Sequence, residues 1–249
     1  MGYEVVLLRH GETTGYDGDH GLTPLGERQA RERGTALAAQ VEPGTAVRMP
    51  HARTTRAVAT AVALRAALVA ALGDDGRVGP LVPEPWFDNL RFARDGEAVD
   101  TSGAVTARLA ITDGELPDWA REYDRFDTDY RAAAAAGNPI EYWMHNPTLY
   151  FEPPHLAAHR VWRGIFAAAE GHDEGRPLMV LAATHSAPMR AFVATALGFD
   201  AGEPRNLEDV RARVVGTRVE VSFREHTVAM TEPSLPPWID SAWLAAYGR

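Results

Sequence analysis

The chain has 249 residues, 45% of them apolar, which fits one large domain or two small ones around a proper core and excludes a disordered chain. Its 34 acidic and 25 basic side chains leave a formal charge of −9, so the broad basic footprint that nucleic-acid binding needs is absent. Cysteine is absent too, which excludes disulfides, thiolate metal sites and a cysteine nucleophile.

The first predicted element is a strand from Glu4 to Leu8, an apolar run that leads straight into Arg9-His10-Gly11-Glu12-Thr13. A cation, an imidazole and a glycine therefore stand at the carboxyl end of a strand, where ligands bind in open α/β sheets. Arg9 offers a planar fork for phosphate oxygens. His10, with an ordinary pKa of about 6.5, can be a neutral nucleophile, and Gly11 lets the backbone turn sharply beside an anion. Because the negative net charge repels phosphorylated ligands at long range, phosphate affinity has to come from such local groups. A strand beginning by Tyr3 leaves no room for a signal peptide, and no apolar run is expected to reach the length of a membrane span, so the expected location is cytoplasmic.

Thr23 and Pro24, as N-cap and first helical residue, open a helix predicted over Pro24 to Gln40. A strand at Ala46 to Met49 leads through Pro50 to Arg53 and Arg56, and a helix follows over Thr55 to Leu72. Farther on, Pro85 to Arg91 contains Asp88. The stretch to Pro154 holds the acidic and aromatic run Asp118 to Asp127, the alanines 132–136 and the proline-punctuated Gly137 to Pro154. A helix at His155 to Glu170 and the turn-rich Gly171 to Pro177 precede a second apolar strand, Met179 to Ala183. That strand ends in Thr184-His185-Ser186, and a helix follows over Ala187 to Leu197. Alternation in Arg218 to Phe223 and Thr227 to Met230 predicts an edge hairpin about Glu225-His226, before Pro233 to Pro237 breaks structure ahead of a short tail. Strands alternating with helices predict a parallel sheet covered on both faces.

Four segments together, Arg9-His10-Gly11-Glu12, Leu22-Thr23-Pro24-Leu25-Gly26-Glu27, Arg56-Ala57 with Thr60-Ala61, and Thr184-His185-Ser186, resemble in order and spacing the phosphoglycerate-mutase-like branch of the histidine phosphatase superfamily. The resemblance implies a three-layer α/β/α sandwich with a mostly parallel central sheet. It implies a single domain over 1–249, with a cap-like insertion at about 95–154 that covers the site and shapes substrate choice. It gives His10 the role of nucleophile, phosphorylated in line and discharged by water, and makes Arg9, Arg56 and His185 the phosphate cradle, with the Ser186 amide at a helix N-terminus. Arg53 also follows Pro50 at the family's interval, but only Arg56 leads the Ala-x-x-Thr-Ala continuation. The proton for the leaving alkoxide is implied to come from a carboxylic acid shortly after the third strand. There Asp88 replaces the usual glutamate and is one methylene shorter, with Glu84, Glu97 and Glu115 as the other carboxylates. Glu12 is expected to orient the loop or His10.

The function this implies is a metal-independent phosphomonoester hydrolase without a cofactor, acting on a small phosphorylated substrate or a phosphoprotein, with neither nucleic-acid nor membrane partners. Oligomeric state is open. The other histidines show no metal-ligand spacing, and His51 and His145 are those expected nearest the pocket; Trp86, Trp143 and Tyr150 read as core or cap packing. Phosphoglycerate-mutase-type transfer is the alternative enzyme. Against it, the loop after Glu12 is short, with Tyr16 where the mutases carry asparagine and Asp17 to Gly21 in place of their longer substrate loop. A phosphate- or phosphoprotein-binding module without turnover is the third reading, should the acid be missing.

Overall fold

The computed structural model describes residues 2–239 apart from 17, 74, 75, 138, 147, 149, 174, 238 and the side chain of Ser102; Asp17 of the short loop and the tail from 240 lie outside the described residues. In chain order the elements are β1 (Tyr3–Arg9), α1 (Pro24–Ala38), β2 (Ala46–His51), α2 (Thr55–Leu72), β3 (Val78–Pro83), a 3-10 turn (Pro85–Phe87), β4 (Arg91–Arg94) and β5 (Glu97–Asp100). There follow α3 (Thr101–Leu109), α4 (Asp118–Ala135), α5 (Pro139–His145), α6 (Pro154–Ala167), β6 (Leu178–Thr184), α7 (Ser186–Leu197), β7 (Asp209–Val215), β8 (Arg218–Phe223) and β9 (His226–Met230).

Side chains of a strand point alternately to opposite faces, so the unbroken apolar run of β1 demands cover on both sides. Val6 and Leu8 pack with Ala30 and Leu37 of α1 and Leu64 and Leu68 of α2. Val5 and Leu7 enter a second core with Val161 and Ile165 of α6 and Phe192 of α7. The result is a three-layer α/β/α sandwich. Its seven-stranded sheet runs β3-β2-β6-β1-β7-β8-β9.

The sheet is mixed rather than mostly parallel. From β3 to β1 the neighbours are parallel, while β7, β8 and β9 join antiparallel. The parallel half needs helical crossovers, whereas 209–230 turns back through tight loops, which only antiparallel pairing allows. The hairpin turns at Arg224-Glu225, one residue earlier than the alternation suggested, since Phe223 pairs with His226. α2 corrects a second expectation: by length and composition its 18 residues could cross a membrane. It is a core helix here, with Leu64 and Leu68 buried and Gly34 of α1 set so close that a Cβ there would lie 2.8 Å from the Leu64 carbonyl oxygen.

The acidic and aromatic run after Pro117 forms α4. Trp119, Ala120, Tyr123 and Phe126 are buried on one face, at helical spacing. They pack on Phe92 and Phe151, with the Phe126 and Phe151 rings 4.1 Å apart. This α4 face and α5 stand over the carboxyl end of β1.

Candidate active site

Register brings the two strand-end histidines together. β1 and β6 are adjacent and parallel with Arg9 opposite Thr184, so the next residue of each, His10 and His185, leaves the sheet at the same edge. Their rings lie 5.2 Å apart in an edge-on arrangement, both residues 2% exposed. The end of β2 reaches the same edge, where the Ala52 amide donates to Ala183 O at 2.9 Å, and delivers the N-terminus of α2 with Thr54 and Arg56.

Local hydrogen bonds set the protonation of His10. Its Nδ1 lies 2.7 Å from the Gly11 carbonyl, which can only accept; Nδ1 therefore carries the hydrogen and Nε2 keeps its lone pair. Burial pulls the His10 pKa down to about 3, opposed by the Gly11 bond and aided by the charges of Arg56 and Arg9. His185 is pushed well below the usual imidazole value, first by burial, then by Arg56 and His10. Both rings are thus neutral at pH 7, and neither is expected to titrate between pH 5 and 8 by imidazole NMR of the free protein; a step near 6.5 from either would contradict the assignment. The sign for stability follows. Unfolded histidines bind protons below about pH 6.5 and these two do not, so their contribution is complete above that value and is lost as the pH falls below it, toward about 3 for His10, which acid-melting curves of His10→Ala should isolate.

Around these rings stand buried nitrogens without hydrogen bonds. Arg9 Nε, Arg56 Nε and Nη1, and His185 Nδ1 are buried and make no hydrogen bond. Leaving a buried polar group unpaired costs roughly 1–3 kcal/mol, so their convergence is a chemical signature of an anion cradle. Burial also lowers the Arg56 pKa. Ser186 adds the N-terminus of α7, which favours negative charge.

The cradle is held from several directions. Arg9 pairs with Glu203 at 2.8 Å and donates to Pro204 O at 2.6 Å, while Asn206 Nδ2 donates to His10 O at 2.8 Å. Thr54 Oγ1 lies 3.1 Å from His185 Nε2. Asp19 accepts from the Thr55 amide at 2.9 Å, capping α2, and lies 3.5 Å from Arg56 Nη1. Tyr16 covers the mouth. Its hydroxyl accepts from Arg9 Nη2 at 3.1 Å, and its ring lies 5.8 Å from the Arg56 guanidinium and 6.1 Å from the His10 ring.

Gly11 also has a packing role that the sequence did not suggest. A Cβ on it would lie 2.6 Å from Gly26 O, so it lets the loop pack on the start of α1, and its amide donates to Thr60 Oγ1 at 3.0 Å. Glu12 orients the loop rather than the imidazole, accepting from Thr23 Oγ1 at 2.9 Å and, through its carbonyl, from the Thr23 amide.

Above the histidines lies a cavity of about 370 Å³ whose walls include Arg9, His10, Arg56, His185 and Ser186. Arg53 and Asp88 do not line it. Arg53, its side chain 60% exposed, donates to Asp88 through its backbone amide at 3.0 Å and through Nε and Nη2 at 2.9 and 2.5 Å. With both carboxylate oxygens spent on Arg53 and no place on the cavity wall, Asp88 does not stand where a leaving group would lie, which does not fit the proton-donor role expected of it. Glu84, Glu97 and Glu115 are not wall residues either: Glu84 caps the 3-10 turn, Glu97 is exposed, and Glu115 pairs with Arg121. Asp127 of α4 does line the cavity. His51 and His145 stand outside it, as do Trp86, Trp143 and Tyr150. Among the described residues no three histidine or carboxylate side chains group as a metal site.

A buried ion pair that the sequence did not reveal supports the Asp88 turn. Arg160 donates to Glu152 through Nε and Nη2, each at 2.8 Å, and its guanidinium also reaches the carbonyls of Trp86, Asp88 and Asn89 at 2.8 to 3.0 Å.

No family model matches the chain, and neither does any curated protein. Solved structures do. "Mycobacterial hydrolase 1" is 16% identical, with 92% of this chain and 100% of that one covered at a TM-score of 0.54. The native mycobacterial glucosyl-3-phosphoglycerate phosphatase is 17% identical over 94% and 98% of the two chains, with a TM-score of 0.52. The product of open reading frame Rv3214 from Mycobacterium tuberculosis is 16% identical over 90% and 98%, with a TM-score of 0.51. The chain shares the fold of these structures. In this fold His10, His185 and Arg56 gather at the carboxyl edge of the parallel strands, where the switch-point rule for open sheets places ligands.

Proposed function

We propose that the protein is a phosphomonoesterase that works through a phosphohistidine on His10. The observation that carries this reading is the pairing of one neutral imidazole, its Nε2 lone pair uncommitted, with nitrogens of Arg9, Arg56 and His185 that are buried and make no hydrogen bond. Phosphoryl transfer is largely positioning plus electrostatic stabilisation, and these groups supply both. The glucosyl-3-phosphoglycerate phosphatase that shares the fold has been solved in complex with VO3. In the first step His10 Nε2 forms the N–P bond as the ester P–O bond breaks, and the leaving alkoxide takes a proton from a carboxylic acid. In the second, water attacks phosphorus, gives its proton back to that carboxylate, and inorganic phosphate departs with His10 neutral again. The test is hydrolysis of an aryl phosphate in the presence of a metal chelator, with acid-labile, base-stable phosphate trapped on the protein; binding of phosphate without turnover would instead make it a binding module.

For the donor we assign Asp127, the α4 carboxylate that borders the cavity. Arg131 Nε, 2.6 Å from Asp127 Oδ2, sits on a largely exposed side chain. Asp127→Asn should slow an alkyl phosphate by about two to four decades and a nitrophenyl phosphate far less, because only the alkoxide needs the proton. Asp88→Asn should slow both esters alike by releasing Arg53. A selective alkyl loss at Asp88 instead would return the donor role to it.

A further inference from the structure

The cavity has two chemically distinct halves. Its floor is the phosphate cradle, and the rest of the wall, where the leaving group of a bound phosphomonoester must lie, is mostly apolar, with Leu90, Val105, Tyr123, Phe126, Ile140 and Phe151 beside the polar Asn89, Thr101 and Tyr130. Three of the first six are aromatic rings already packed on one another, with Phe126 and Phe151 4.1 Å and Tyr123 and Phe151 6.1 Å apart, so that part of the wall is a rigid apolar surface. The charges on this wall are paired with one another or with the cradle. Glu203 is held by Arg9, and Arg131, the wall's cation besides the cradle arginines, is engaged with Asp127. Among the described residues of the wall, a second phosphate or a carboxylate on the substrate would find Glu203 and, as the one cation outside the cradle, an Arg131 already engaged, in a protein of net charge −9.

We infer that the substrate is a monophosphate ester of an uncharged, apolar or aromatic alcohol about the size of one or two rings, and that sugar phosphates and phosphorylated carboxylic acids are poor substrates. This rests on the phosphomonoesterase reading above. A cavity of about 370 Å³ is at the small end of organic-ligand pockets and is large enough to enclose such a group.

The experiment compares primary alkyl esters, so that the leaving oxygen is alike: 2-phenylethyl phosphate against glycerol 3-phosphate, glucose 6-phosphate and 3-phosphoglycerate, by kcat/KM on the full chain. Burying a phenyl group predicts a preference of about ten- to a hundredfold for the phenylethyl ester. Ala134 gives a second arm. It is exposed near the end of α4 and borders the cavity, so Ala134→Arg is tolerated by the helix and adds a cation to the wall. The ratio of phenylethyl phosphate to 3-phosphoglycerate turnover should then fall by about fivefold or more. Equal or faster hydrolysis of the polar esters by the natural protein would overturn the substrate class while leaving the phosphatase reading intact. Calorimetry with 2-phenylethylphosphonate, which cannot be hydrolysed, separates the two further: binding no tighter than 3-phosphoglycerate overturns the class whether or not any ester turns over. Absence of hydrolysis throughout, with the phosphonate still preferred, overturns the phosphatase reading alone.

Discussion

His10→Ala is expected to abolish turnover, by about four decades or more, while the protein stays folded. Loss of the imidazole removes the atom on which the covalent intermediate forms. His185, the other buried ring, is engaged through Nε2 with Thr54, and its Nδ1 belongs to the cradle, so it offers no second nucleophile. Folding should survive because the anchors of the loop are backbone groups: the His10 amide donates to Thr184 O at 2.9 Å and its carbonyl accepts from Asn206. The variant should still bind inorganic phosphate through Arg9 and Arg56 but show no acid-labile phosphate, with near-UV circular dichroism unchanged. Activity above a trace would remove His10 from the chemistry.

Arg56 and Arg53 make the second large contrast. Arg56 is 2% exposed, borders the cavity and keeps two nitrogens without hydrogen bonds; Arg53 faces solvent and spends its donors on Asp88. Arg56→Ala should cost about 2–4 kcal/mol of transition-state stabilisation, two to three decades in rate. Arg53→Ala should cost about tenfold or less, through the loosened Asp88 turn, since its own pair is mostly solvent-screened. Arg56→Lys should recover little, because a compact ammonium cannot replace a planar fork. Reversed severity of the two alanine variants would exchange their roles.

The residues that were legible in the sequence are those whose role depends on their own strand or helix. An apolar run ending in Arg9-His10, or in Thr184-His185, announces a buried strand and what stands at its end; Thr23-Pro24 announces a helix start, and α2 begins and ends as its pattern predicts. Groups whose role depends on a distant partner were not legible. Asp88 has the right chemistry near the right place for an acid, but only the fold shows Arg53 closing on it. Glu152 and Arg160 look like ordinary surface charges on either side of a helix start, and only tertiary packing makes them a buried pair. Glu203, Asn206 and Asp19 hold the cradle from loops without a periodic signal. The mixed sheet was missed for a related reason. β7 alternates cleanly, with Val210, Ala212 and Val214 buried, yet alternation alone does not tell a strand which way to run beside β1.

One pairing at the edge of the cavity bears on how such a protein changes over time. Ala93 donates to Tyr150 O at 2.7 Å and Glu152 to Arg91 O at 2.8 Å, with Phe92 opposite Phe151, so the chain leaves toward α3 and returns toward α6 at neighbouring points. A segment whose two ends meet can be lengthened, shortened or exchanged without moving the elements it springs from. Arg9, His10, Arg56, His185 and Ser186, the residues proposed to handle phosphate, lie outside that loop of chain, whereas the proposed donor Asp127 and much of the apolar wall lie within it. Exchange of that one cassette would therefore change the surface that meets the alcohol and the acid that protonates it together, and leave the nucleophile and the anion-facing floor in place.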